Sequence, residues 1–492
     1  MLKREEWYDL ATRVDWNFKY VKEEEVFPPE ISGYTKIPRE VWVKEYDAPY
    51  KVTYREYVKN QRDKDTKVLA VRDAAIRGKL FEKLDRGLKS NWLFHYGAVP
   101  LAEYQAAVAE ARMARFGRAA EWRHLATFGN MDEIRHAQLQ LLVPHAYVQK
   151  DPRYAWAHKC FYTEEWGSIA ARKFFDDQFT STDALETSIQ LTFLFETAFT
   201  NLQFIAMASQ SYGAGDYEFG NMVQSIQTDE ARHAQIGVGV APIMVKHGEG
   251  EKFQKMVDKM FWTTWRVFCV LVGCTMDYQI PVEARRMSFK EFMEEWIIAQ
   301  FQRLMRDLGY KLPWYWDLFV KELDYQHHSF QIGLYCWRPT IWFDRKGPSP
   351  EERKWLRQKY PDWEDKFGPI WDTIIKNILD GKIEKTLSPD LVVLCNGCNL
   401  PICFPYPGET VIIPHIHNNR PYLFCSEPCK WIFEQEPEKF AGQKTLLDRA
   451  LMGEIPDTSI PGIMKYMGFD HPEEMGDDSW NYEWARAYAK QS

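Results

Sequence analysis

Polar and apolar residues change rhythm several times along the chain. Residues 1–90 mix charge and proline without a long period, which predicts an irregular N-terminal wrap plus one helix near "VLAVRDAAIRGKLFEKL". From about 91 to 345 proline is sparse, and alanine, leucine, phenylalanine and glutamate are common, the composition of long helices. Residues 346–390 carry "PSPEERKWLRQKYPDWEDKF", a proline-rich turn before a short helix. Over 391–440 the texture shifts to cysteine, proline and short β-like runs, "GETVIIPHI" and "RPYLFC". The tail, 441–492, reads as short helices and loops. The expected fold is mainly α.

One helical stretch, "IQLTFLFETAFTNLQFIAMA", is apolar on nearly every face and therefore reads as buried. It contains Glu196. An unpaired carboxylate there is costly unless it stays protonated or meets a cation. The chain also writes one pattern twice, "MDEIRHAQ" at 131–138 and "TDEARHAQ" at 228–235. An acid three residues before a histidine is weak by itself. With 70 acids and 12 histidines, roughly one or two such spacings arise by chance. Glu121 with His124, and Asp324 with His327, are of that kind. Two adjacent acids at this spacing should occur only about a quarter of a time by chance, and here they occur twice.

Positions i and i+3 share a helix face, so Glu133 with His136, and Glu230 with His233, can each present an oxygen and an imidazole to one point. If each motif helix forms a hairpin with the helix before it, reflection through the turn finds the facing residue. Reflection through "RFGRAA" at Gly117 selects Glu103. Reflection through "SYGAGDY", at Gly213 and Gly215, selects Glu196. Glu110, seven residues beyond Glu103, falls about 10 Å nearer the turn at 1.5 Å per residue. Four glutamates and two histidines from four helices form the ligand set of a di-iron or di-manganese carboxylate bundle. Hard oxygens with two imidazoles suit iron or manganese better than zinc. The expected architecture is thus a ferritin-like four-helix di-iron bundle enlarged with extra helices. Asp132 and Asp229 can orient the imidazoles. Arg135 and Arg232 either pair with these aspartates or form surface ion pairs. Thr200, one turn beyond Glu196, either faces the metals or bonds the carbonyl four residues back.

Composition narrows the function. A net charge of −8 gives no nucleic-acid footprint. The start, "MLKREEWYDL", lacks an apolar signal core, and the run "VFCVLVGC" at 267–274 is too short to span a bilayer. A soluble, cytoplasmic protein is expected. Cys395 and Cys398, then Cys425 and Cys429, form two close pairs that read as a small C-terminal four-cysteine module holding structural zinc. Reduced thiols without metal, or an iron–sulfur centre, remain alternatives. Cys403 is spare, and Cys160, Cys269, Cys274 and Cys336 read as core.

These motifs carry a resemblance. Segments "EEWYDL", "VFPPEISG", "PYKVTYREYVKNQRDKD", "ARMARFG", "TFGNMDEIRH", "FFDD", "FETAFTNLQF", "SIQTDEARHAQ", "SFKEFMEEWI", "LPWYWDLF" and "GDDSWNYEWA" resemble the hydroxylase alpha subunit of soluble di-iron monooxygenases. The likeness is to the toluene, alkene and isoprene monooxygenase group, with phenol hydroxylase next. "YLFCSEPCKWIFEQEPEKF" resembles the metal module ending phenol hydroxylase large subunits. The resemblance implies Glu103, Glu133 and His136 on one iron, and Glu196, Glu230 and His233 on the other. It implies Thr200, Asn201 and Gln227 beside the active site, and Val99, Ala106, Phe175 and Phe195 at the substrate pocket. Val99 stands where toluene monooxygenases usually have isoleucine. It implies beta and gamma subunits in a dimer of trimers, an effector protein, and a ferredoxin with an NAD(P)H reductase. The chain has no flavin or nicotinamide fingerprint, so electrons arrive from outside. The expected activity is insertion of one oxygen atom into a small apolar hydrocarbon, as aromatic hydroxylation or alternatively alkene or isoprene epoxidation. An iron-oxidising bundle and a non-catalytic assembly subunit are the competing classes.

Overall fold

The structure, a computed structural model, describes residues 1–15, 17–150, 164, 166–180, 182–336, 346–386, 392–402, 412–466 and 482–490. Its main helices are α1 (Tyr54–Arg77), α2 (Arg86–Phe116), α3 (Ala120–Val148), α4 (Trp166–Phe175), α5 (Ala184–Gly213), α6 (Tyr217–Lys246), α7 (Gly250–Gln279) and α8 (Gln326–Cys336). The hairpins α2–α3 and α5–α6 pack on one another as a four-helix bundle. Asp85 and Asp216 start α2 and α6 by accepting the N–H groups of Leu88 and Phe219, each at 3.0 Å. The first hairpin turns at Gly117, where the sequence placed it.

The sequence pattern put the N-terminal helix near residues 68–84. The structure corrects this: α1 starts at Tyr54 and ends at Arg77. A reciprocal Thr53–Glu56 capping box sets the start. The helix lies against α3 and α6 and so becomes part of the site. Described residues 346–386 likewise hold two α-helices rather than one, Pro350–Lys359 and Trp363–Leu379, followed by a 3-10 turn at Ile383–Thr386.

Helix α5 departs from α geometry. Residues Ser188–Thr200 form 13 residues of π-helix, with the Asn201 N–H reaching back five residues to the Glu196 carbonyl. Thr192 Oγ1 donates to Ser188 O at 2.6 Å and Thr197 Oγ1 to Thr192 O at 2.8 Å, giving the widened turns extra partners. Such geometry is rare and concentrates at functional sites. Gly237 on α6 lets the two backbones touch: a Cβ there would lie 2.5 Å from Phe193 Cβ and closer still to Ser188 O. Helix α5 is long and apolar enough to cross a bilayer, unlike the 267–274 run. Yet 67% of its most apolar window is buried inside the protein, and it carries Glu196, so it is the core helix of the bundle.

The C-terminal module pairs antiparallel strands β1 (Ile413–His417) and β2 (Arg420–Phe424), followed by α9 (Glu427–Gln435). Its core is continuous with that of the bundle. Tyr422, Phe424, Cys429 and Phe433 belong to the same buried cluster as Phe199, Phe261 and Trp262. Cys269 and Cys274 are fully buried and Cys336 is half-buried; Cys160 and Cys403 lie outside the described residues.

Candidate metal centre

Glu103 from α2, Glu133 and His136 from α3, Glu196 from the π segment, and Glu230 and His233 from α6 converge in the bundle interior. None is more than 7% exposed. Their donor atoms form two overlapping quartets, each within 4.8 Å: Glu103, Glu133, His136 and Glu230; and Glu133, Glu196, Glu230 and His233. Glu133 and Glu230 belong to both. His136 Nδ1 lies 3.2 Å from Glu230 and 3.6 Å from Glu133, and His233 Nδ1 lies 2.9 Å from Glu133 and 3.8 Å from Glu196.

Despite these approaches, His136 Nδ1, His233 Nδ1, Glu133 Oε2 and Glu196 Oε2 find no hydrogen-bond geometry among the described residues. Lone pairs that converge without pairing with each other fit a cation between them. Electrostatics agree. Burial, then repulsion from Glu133, pushes the Glu103 carboxyl well above its ordinary range. Burial pushes Glu196 up to about 8. Burial opposes charge on both histidines, but Asp229, Glu133 and Glu230 hold His136 high, and Asp132, Glu133 and Glu196 do so for His233. Four buried carboxylates cannot all ionise without compensating positive charge, and divalent cations would supply it. The residues therefore fit the di-metal set.

The imidazoles are held from behind by crossed pairs. His136 Nε2 meets Asp229 at 3.2 Å, and His233 Nε2 meets Asp132 at 3.0 Å. The arginines are not surface pairs. Arg135 binds Asp229 at 2.9 Å, Asp65 at 2.7 Å and Ser225 at 2.8 Å; Arg232 binds Asp132, and Asp229 at 3.0 Å. Sequence reasoning missed the contribution of α1. Tyr57 donates to Asp132 at 2.9 Å, Gln61 to Asp229 at 2.8 Å, and Lys64 pairs with Asp229. Positions 57, 61 and 64 share one helix face, a signal visible only once α1 is known to start at Tyr54. Gln140, one turn beyond His136 on α3, donates to Glu103.

Thr200 Oγ1 is buried and has no partner among the described residues, so it does not bond the carbonyl four residues back. Gln227 donates to Asn201 at 2.6 Å, joining α6 to α5. Phe175 and Phe195 share an aromatic cluster with Phe174 and Phe179, while Ala106 is buried on α2. Val99 is placed apart from them. It lines a small cavity with Gln203, Met207, Leu271 and Met276, which Ala106, Phe175 and Phe195 do not line. Glu110 is fully buried, outside both quartets, with its carboxyl packed on Gly129, where a Cβ would come within 2.7 Å of it.

The chance pairs stay apart. Glu121 accepts from Tyr8 while His124 meets Val52 O; Asp324 pairs with Lys290 while His327 meets Asp277. The four cysteine sulfurs gather within 4.8 Å, with Cys398 3.8 Å and Cys429 3.6 Å from Cys425. Backbone N–H groups of Gly397, Cys398 and Cys425 donate to Cys395 Sγ at 3.3–3.5 Å, an arrangement that favours thiolate.

Residues 16–248 match the family described as Methane/Phenol/Alkene Hydroxylase, and residues 420–444 match the YHS domain. The chain is 44% identical to the alkene monooxygenase oxygenase component subunit alpha of Xanthobacter autotrophicus, over 100% of this chain and 98% of that one. It is 30% identical to a phenol 2-monooxygenase oxygenase component of a Pseudomonas species, over 88% of this chain and 84% of the relative. The fold superposes on xenon-pressurized phenol hydroxylase from Pseudomonas sp. OX1 with a TM-score of 0.86, at 24% identity and full coverage of both chains. With its di-metal carboxylate site, this chain belongs to the methane/phenol/alkene hydroxylase family, as the alpha subunit of the oxygenase component of a multicomponent di-iron monooxygenase.

Proposed function

We propose that the chain inserts one atom of dioxygen into a small alkene, giving the epoxide. The two overlapping quartets, with their converging unpaired donors, carry the oxygenase reading. Likeness to an alkene monooxygenase subunit along both whole chains favours alkenes over arenes as the substrate class. Glu103, Glu133 and His136 would hold one iron, and Glu196, Glu230 and His233 the other; Glu133 and Glu230 belong to both quartets. When bound, the irons supply the electrons and Lewis acidity that activate oxygen. The protein's part is orientation, dryness and protons. Asp132 and Asp229 fix the imidazoles, the Phe174, Phe175, Phe179 and Phe195 cluster with Ala106 excludes water, and the free Thr200 hydroxyl can pass a proton. Asn201 and Gln227 close the same side. Val99 would border an adjoining part of the substrate route.

Electrons would come from NAD(P)H through a reductase and ferredoxin, with an effector protein and beta and gamma subunits completing a dimer of trimers. Cys395, Cys398, Cys425 and Cys429 would hold structural zinc, and seven free described cysteines suit a reducing cytoplasm. The test is the iron-loaded hydroxylase with its partners, offered propene, isoprene, toluene and phenol. Epoxides should dominate. Faster arene hydroxylation would overturn the alkene assignment, and Fe(II) oxidation without any organic product would overturn the oxygenase reading.

A further inference from the structure

The four-cysteine site has neighbours outside its own module. Trp262 of α7 donates its indole N–H to Cys429 Sγ at 3.2 Å, and both residues are buried. A buried indole N–H needs an acceptor, and here it is a sulfur. One turn further along α7, Arg266 is 1% exposed. Its guanidinium lies over the rings of Trp262 and Phe330 and donates to Glu322 at 3.0 Å.

Four thiolates around a divalent ion leave a net charge of about −2 in a buried place. Backbone donors of the module serve Cys395. Cys429 takes its indole bond from the bundle instead, and the guanidinium seated over that indole also comes from the bundle. On the flanking face of the same helix, Phe261 and Phe268 pack on Phe199, the residue before Thr200, at 5.2 and 5.3 Å. Helix α7 thus touches the cysteine site and the π segment that carries Glu196 and Thr200.

We propose that Trp262, with Arg266 seated over its ring, is a positioning residue of the C-terminal metal site, so that the bound metal fastens the module to the helix backing the segment of Glu196 and Thr200. This rests on the reading of the four cysteines as a metal site. The effect expected is that of other groups that hold metal ligands from behind, roughly 10–100-fold in affinity.

The test uses the assembled hydroxylase with cobalt(II) exchanged into the cysteine site. Trp262→Phe keeps the ring and removes the N–H; Arg266→Gln removes the charge. Trp265→Phe is the control, because Trp265 is equally buried on α7 but donates to Glu322, at 2.6 Å, and not to sulfur. Trp262→Phe should shift the thiolate-to-cobalt charge-transfer band and lose zinc to a chelator about 10–100-fold more readily. Trp265→Phe should leave the band in place. An unchanged band and zinc affinity in Trp262→Phe, or an equal shift in Trp265→Phe, overturns the proposal while the metal reading stands. Absence of zinc and of any cobalt–thiolate band in the unmodified protein overturns both. If Arg266→Gln does not fold, Trp262→Phe decides alone.

Discussion

Asp229 on α6 lies 3.2 Å from Nε2 of His136 on α3. The relation is returned, since Asp132 on α3 lies 3.0 Å from Nε2 of His233. Each motif copy therefore orients the other's imidazole, and neither helix completes a half-site alone. Removing one aspartate should act on the opposite helix's ligand. Asp229→Asn should lower iron affinity roughly 10–100-fold, read by chelator competition. The loss should fall on the iron held with His136. Equal weakening of both irons would remove the crossed assignment.

Glu103 and Glu110 lie on one helix but play different parts. Glu103→Ala should lose most of the iron, and Glu110→Gln should retain both ions per chain by metal analysis. The buried, unpaired Glu110 carboxyl has its pKa pushed well above the usual range, by burial first and then by the nearby glutamates against the pull of His233. A carboxyl whose folded pKa is raised favours the fold below its unfolded pKa of about 4.3, and that contribution is lost as pH rises toward the folded value. The loss approaches about 1.4 kcal/mol per pH unit. Glu110→Gln should therefore show a flatter decline of Tm than the parent as pH rises above the unfolded carboxyl value. A parallel decline in both proteins counts against a neutral Glu110.

Thr200 tests the proton reading. Its hydroxyl has no partner among the described residues, so Thr200→Val should cost little stability but separate NAD(P)H consumption from product. Thr200→Ser should behave as the parent. If Thr200→Val couples electrons to product as well as the parent does, the hydroxyl is idle.

Gly237 tests the π segment. A methyl group there must displace Ser188 O and Phe193, backbone and all. Gly237→Ala should cost about 1–3 kcal/mol or more and shift Glu196, lowering iron occupancy. Thermal unfolding and iron content together check it; a variant with parental values for both would mean α5 and α6 separate freely.

The linear pattern of the chain was enough to place the six converging residues and the turn between α2 and α3. Three kinds of constraint made them legible: a repeated acid–acid–x–x-histidine spacing, a carboxylate in an apolar helix, and glycine turns that fix which helices face. The four cysteines, whose sulfurs the fold gathers, were legible for the same reason, because side chains that could share one cation come in closely spaced pairs. Packing settled the rest. Tyr57, Gln61 and Lys64 reach Asp132 and Asp229 because α1 is laid across the bundle, and no local pattern encodes that docking. The arginines, ambiguous along the chain, reach aspartates of the opposite helix, Arg135 to Asp229 and Arg232 to Asp132, because the two motif helices face each other. Thr200 was poised between two local options, and in the fold its hydroxyl has no partner among the described residues. Trp262 belongs to no motif of the sequence, and packing alone sets its indole against Cys429. Spacing along one helix is written in the sequence at 1.5 Å per residue. Contacts between elements remote in the chain arise only when burial of their apolar faces brings them together.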